Sequence, residues 1–315
     1  MLIACLALFT ACGGNGTDTE NTGTENDGIQ AAQEQTAQLA QVEKETAAQI
    51  IEQLSEAGEV GPGTEWSIIG IARSSLAKDP QAQTLFTEYQ DNLRLQVKRS
   101  EGVLDPERPT DNARAAIAMQ LTGADPADVE GYDLMAQQED VDAVRAQGIN
   151  AEIWALISAS CCGRELAAAD TYLQDICGMR SEDGGITYDG TSPDVDITAM
   201  AIQAMAPYAK DREDIAETIE GARAWLSGQQ LDGGDYGNSE STSQVILALA
   251  AMGEEPAAAE DFIKAEGGLL EGQMIYHRAD GFCHLDEEEM DMMATEQALC
   301  ALDSMLLASR GEQLF

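Results

Sequence analysis

Residues able to do chemistry are few in this sequence, and they gather in three places. "DVDITA" puts two carboxylates, Asp194 and Asp196, at the start of an apolar run. Carboxylates two residues apart at a helix N-terminus serve either as caps, which the helix dipole favours, or as members of an acid–base pair. "HRADGFCHLD" gathers Asp280, Cys283 and His284, and with His277 it holds both histidines of the chain. Carboxylate, thiolate and imidazole are zinc donors, but a polar surface turn explains the same residues, and zinc is not the expected occupant. Arg73, in "IIGIARSS", and Arg114, in "DNARAAIAMQ", sit inside apolar segments. A cation there needs a partner. Each is expected to meet a carboxylate such as Asp111 or Asp196, either as a buried ion pair or as an anchor for the anionic group of a ligand.

The chemistry sits in an unusually acidic chain. Across 315 residues, 57 acids face 17 basic residues, a formal net charge of −40. Such a surface repels phosphate backbones and anionic headgroups, so nucleic acid is excluded as a partner of the folded body. A hydrophobic fraction of 44% is enough for a substantial core. Aromatics make up only 5%. That is sparse for a cavity that stabilises carbocations by cation–π attraction.

The elements that must position these residues repeat. "EDGGITYDGTSPDVDITAMAIQAM", "LDGGDYGNSESTSQVILALAAMG" and "ADGFCHLDEEEMDMMATEQALCAL" each run from an acidic-glycine turn through a polar loop into an apolar helix. Asp183 precedes Asp232 by 49 residues, and Asp280 follows it by 48. No lysine follows the glycines and no strand precedes them, so the stretch is an inter-helix turn and not a phosphate loop. Short apolar helices are expected to start near residues 65, 111, 150, 195, 241 and 293. Amphipathic helices are expected between them, at roughly 29–58, 80–99, 131–147, 165–178 and 211–230. Helices apolar all round belong inside and amphipathic ones outside. The expected fold is therefore all-α, an α/α toroid of about six inner and six outer helices, with no strand.

At this point the sequence resembles known families. "AWLSGQQLDGGDYG" looks like the Gln-Trp-type repeat of squalene cyclases and protein prenyltransferase β-subunits, and "DVDITA" looks like the cyclases' Asp-x-Asp-Asp-Thr-Ala box. A closer resemblance is to cell-surface proteins of Gram-positive bacteria with prenyltransferase-like repeats. It runs from "TEW" at 64–66 and "IAR" through "TDNAR", "QGIN" and "WALI" to "NSES" and "ATEQ". Those proteins are similar to the helical domain of intrinsic factor and transcobalamin. The resemblance implies the toroid and, by way of the carriers, a corrinoid as one possible ligand, with a separate lid domain or surface protein to close over it. It speaks against the enzymes. Ile197 replaces the last aspartate of the cyclase box, and a residue too many separates Asp280 from Cys283 for the prenyltransferase zinc pair. The third zinc ligand of that family falls at Ala294.

Two functions remain. The first is a binding module whose rim collects Arg73, Asp111, Arg114, Asn150, Asp194, Asp196, Ser239, Glu240, Gln244, Thr295 and Glu296. The alternative is a carbohydrate-active enzyme, a glycoside hydrolase or lyase, working through paired carboxylates drawn from Asp194, Asp196 and Glu240. Trp66, Trp154 and Tyr236 are its candidate stacking aromatics.

"MLIACLALFTAC" resembles a bacterial lipoprotein signal. Residues 1–12 are then the signal peptide, lipidated Cys12 anchors the chain outside the cell membrane, and 13–28 form a flexible linker to the domain at 29–315. Five cysteines remain in the body of the chain, with no Cys-x-x-Cys pair, which does not suggest a disulfide framework.

Overall fold

The computed structural model describes residues 21–315. The expected signal segment and Cys12 lie outside the described residues. Two compact units divide the chain after Gln38, and the architecture below is that of the second, Leu39–Phe315.

Helices run throughout. In chain order they are α1 (Asn21–Ala57), α2 (Glu65–Arg73), α3 (Pro80–Arg99), α4 (Pro109–Leu121), α5 (Val141–Gln147) and α6 (Ile149–Cys161). Then come α7 (Ala169–Gly178), α8 (Val195–Met205), α9 (Glu213–Gln229), α10 (Ser239–Ala251), α11 (Leu269–Met274) and α12 (Met292–Ala308). The class is all-α. The even-numbered helices start within two residues of the expected positions.

Those six are buried around almost their whole circumference. In α4, Ala113, Ala115, Ala116 and Ala118 are all fully buried, and in α10 every residue from Ser241 to Ala250 is buried. Small side chains on several faces let each helix lie close to a neighbour on either side. The contacts follow a regular order. Helix α2 packs on α4, α4 on α6, α6 on α8, α8 on α10, α10 on α12, and α12 on α2.

Two expectations fail locally. Residues 131–147 were to form one amphipathic helix. Instead Gly131 takes a left-handed φ of +85°, a 3₁₀ turn covers Ala136–Glu139, and only the short α5 follows. The aspartates explain it: Asp133 binds the Met135 amide and Asp140 caps the Ala143 amide, so side chains compete with helical backbone bonds. Strand is also present, as a two-residue antiparallel hairpin, β1 (His277–Arg278) and β2 (Gly281–Phe282). Gly281, at φ +144°, makes its tight turn; a Cβ there would lie 2.6 Å from the Thr295 hydroxyl.

One motif recurs at the start of α8, α10 and α12. Asp194, Asn238 and Asp291 each cap an amide three residues on. A threonine four residues after each cap, Thr198, Thr242 or Thr295, accepts a hydrogen bond from a loop amide, that of Ile186, Tyr236 or Phe282. The same hydroxyl donates back to the carbonyl of the capping residue. The acidic-glycine turn is thereby pinned to the helix it precedes. The other three even-numbered helices have no side-chain cap: Thr64, Arg108 and Gly148 stand at those positions and make no such bond.

At the C-terminal ends of these helices the chain's last residues fold inward. Gln313 donates to the Ala251 carbonyl, Leu314 is 3% exposed, and Phe315 meets Trp154 edge-on. The void left beside them is about 30 Å³, room for one water. Arg73 belongs to this end. It lies in the last turn of α2, and its Nε donates to the Leu314 carbonyl at 2.6 Å. The expected carboxylate partner is replaced by a backbone oxygen, because the residue is two turns of helix from the carboxylates at the N-terminal ends.

Candidate functional site

At the opposite, N-terminal ends of the six helices lies a cavity of about 360 Å³, and every one of the six contributes to its wall. The contributions follow a register. The second residue of α2, α6, α8, α10 and α12 lines it: Trp66, Asn150, Asp196, Glu240 and Met293. The sixth residue of α4, α6, α8, α10 and α12 lines it too: Arg114, Trp154, Met200, Gln244 and Gln297. Residues four apart share one helix face, so the same face of each helix is turned toward one space. Asn238 and His284 complete the lining from the loops.

Polar groups in this wall are organised in three sets. The first is a chain of amides: Gln244 Nε2 donates to Gln297 Oε1, and Gln203, which lines the void at the opposite end of the helices, donates its Nε2 to Gln244 Oε1 from behind the wall, both at 3.0 Å. All three glutamines are buried. The second is a pair, His284 Nδ1 at 2.8 Å from Glu240 Oε2. Backbone fixes it, since the Ser239 amide donates to the His284 carbonyl at 3.0 Å. Donating this hydrogen bond to the Glu240 carboxylate holds the imidazole's proton affinity above the ordinary histidine range. The third is Asp196, whose Oδ1 is buried without a hydrogen-bond partner. Burial pushes its pKa up, while a hydrogen bond with Ser241 opposes the shift.

Aromatic rings form the floor. Trp66 and Trp154 meet edge-on with centroids 5.4 Å apart, and the Arg114 guanidinium lies 5.9 Å from the Trp154 ring centroid. Arg114 also pairs with Asp111 at 2.9 Å, while its Nε is buried without a partner. Such a wall offers amide donors and acceptors, a carboxyl held toward its neutral form, and a cation over an aromatic face. It suits a small ligand with several hydrogen-bonding groups.

The structure brings together Arg114, Asn150, Asp196, Glu240 and Gln244 from the expected set. The others are elsewhere. Asp194 is spent as the α8 cap and Thr295 as the pin of the hairpin loop. Ser239 is fully buried and accepts from Gln273. Glu296 accepts a 2.6 Å hydrogen bond from Ser67 behind the wall, where burial raises its pKa to about 7. Asp111 faces a neighbouring groove, bridging Arg108 and Arg114. Tyr236 is turned away, its hydroxyl donating to the Leu226 carbonyl.

The zinc-type cluster comes apart. The Cys283 thiol is buried against the Tyr276 carbonyl, His284 turns to Glu240, and Asp280 is exposed. Among the described residues no group of three or more His, Cys, Asp or Glu side chains could hold a metal ion. The five cysteines of the body are free thiols. Sequence reasoning missed Met200 and Met293. Their signal was present: Met200 lies four residues after Asp196, and Met293 lies four residues before Gln297.

No family model matches this chain, and no curated protein matches it.

Proposed function

We propose that this chain is a ligand-binding module, an α/α toroid whose N-terminal rim holds a small polar ligand, tethered outside the cell membrane through Cys12. The cyclic order of contacts from α2 round to α12 and back supports the toroid. The observation that carries the binding reading is the shared register, in which the second and sixth residues of successive helices face one cavity. A packing accident would expose unrelated positions. The cavity, at about 360 Å³, falls at the lower end of the range for small-molecule sites. A ligand as large as a corrinoid would rest on this rim under a lid supplied by another protein, and only a side group would enter.

Native mass spectrometry of the full chain, purified without chelator from cells grown with corrinoid, tests the reading. A stoichiometric adduct supports it and identifies the ligand. A bare mass contradicts tight binding.

A second reading rests on Asp196 and the Glu240–His284 pair. A buried carboxyl with raised pKa beside a second carboxyl is an arrangement general acid–base catalysis uses, so the module would turn over a glycan. Asp196→Asn and Glu240→Gln separate the two: a hydrolase or lyase loses its turnover of an oligosaccharide with either change, whereas a pure binder releases its ligand unaltered.

A further inference from the structure

The cavity is the middle of a longer feature whose guanidiniums gather at one end and whose other end is acidic. On one side Arg114 also lines a groove of about 670 Å³, together with Arg99 and Arg108. Three guanidiniums in one groove is a concentration in a chain with only 17 lysines and arginines. Three carboxylates, Asp105, Asp111 and Glu65, line the same groove, and two of them pair Arg108 and Arg114. Arg108 and Arg114 share Asp111, Arg108 also holds Asp105, and exposed Arg99 makes no ion pair among the described residues. The other carboxyl in the groove, Glu65, is buried against the Tyr89 hydroxyl and the Gly63 amide.

On the other side Glu240, His284 and Met293 line the cavity and also a shallow groove of about 750 Å³ whose remaining wall includes Glu287, Glu288, Glu289 and Asp291. The hollows are thus joined through shared side chains, with the exposed, unpaired Arg99 at one end, amides in the middle and an acidic wall at the other.

Resting on the binding reading above, we infer that the ligand is a short linear peptide lying across the rim, its carboxylate on Arg99 and Arg108 and its amino end beside Glu240. Charge complementarity selects the direction. Guanidinium forks match a carboxylate, and the buried, unpartnered Nε of Arg114 marks where the groove lacks an acceptor. The acidic end suits an ammonium group and repels a phosphate or sulfate. Between them, the Asn150 amide and the Nε2 of Gln297 face a peptide backbone, while Asn238 caps α10 and Gln244 is held in the amide chain.

Calorimetric titration of the full chain with the hexapeptide Lys-Ala-Ala-Ser-Ala-Ala, free at both ends, tests the inference. The free peptide binds one to one, and amidating its carboxylate weakens binding about tenfold or more, the worth of a charged hydrogen bond. Acetylating both amino groups weakens it similarly. Arg99→Ala, which breaks no ion pair, reduces the free peptide's affinity while leaving the amide's unchanged; Glu240→Gln does the same for the free peptide against the acetylated one. Equal affinity for acid and amide overturns the proposed direction, and absence of any peptide binding overturns the ligand class. If peptides fail while the native adduct persists, the peptide inference alone is lost. If the wild-type adduct is missing as well, the cavity reading falls with it.

Discussion

The Phe315 ring meets Trp154 edge-on with centroids 6.3 Å apart, so the last residue of the chain stands beneath the floor of the cavity. Trp154 in turn meets Trp66, and the three rings link the buried C-terminal segment to the candidate site. The contacts at one end of the helix array therefore set the geometry at the other.

That linkage makes Leu314 a test position. Its side chain is 3% exposed and its carbonyl holds Arg73. Truncation leaves a cavity that the surrounding helices cannot close, so Leu314→Ala should cost about 2–4 kcal/mol in urea unfolding. It should also shift tryptophan fluorescence, because Phe315 loses its support against Trp154. An unchanged midpoint would mean that the tail is not docked.

The pinning threonines predict a polar effect separable from packing. Thr242→Val keeps the side-chain shape but leaves the Tyr236 amide without its acceptor. The expected destabilisation is about 1–3 kcal/mol, the desolvation cost of an unsatisfied buried group. Thr198→Val and Thr295→Val should behave alike, and the three together test whether the loops are equivalent structural units.

The two histidines should titrate on opposite sides of the usual value of about 6.5. Burial lowers the pKa of His277, and the hydrogen bond His284 donates to the Glu240 carboxylate raises its own. The protonated His284 pair is thus complete at low pH and is lost as pH rises through its elevated pKa. Imidazole proton resonances give both midpoints directly. Glu240→Gln should bring the His284 midpoint down and leave His277 where it was.

Stability should fall as pH rises from about 4.5 to about 7, because Glu296 ionises in the unfolded chain at the lower value and in the folded chain at the higher. Burial dominates, and the nearby charges of Glu65 and Asp291 add to it while the hydrogen bond from Ser67 opposes it. In this window the folded state binds more protons than the unfolded one, which gives the negative slope. Glu296→Gln, which keeps an acceptor for Ser67, should flatten it. Thermal melts across the window with both proteins measure the difference.

Much of the scaffold was legible in the sequence and less of the site. Six apolar helices announced themselves because burial on every face removes polar residues from the run, and the recurring glycine turns gave the spacing. The helix expected at 131–147 failed because Asp133 and Asp140 act through their side chains on local backbone, which hydrophobic periodicity does not register. The hairpin at His277–Phe282 is too short to alternate. Within the site, residue type identified Asp196 and Glu240 but could not separate them from Asp194 and Thr295, whose groups are consumed in capping. Only the positions two and six of each helix distinguish lining from capping, and that needs helix starts to single-residue accuracy. Arg73 was misplaced for a related reason: the segment was recognised as inner, but the end of the helix on which the guanidinium lies decides its partner.

The measurement that bears most directly on the central claim is native mass spectrometry of the wild-type chain beside a Gln244→Ala, Gln297→Ala variant prepared in the same way. The double change removes the two glutamines of the amide chain that line the cavity, and circular dichroism would verify that the helices remain. A stoichiometric adduct on the wild type, missing or much reduced on the variant, is the predicted result. A bare wild-type mass, or an adduct carried equally by both proteins, would contradict the assignment of this cavity as the binding site.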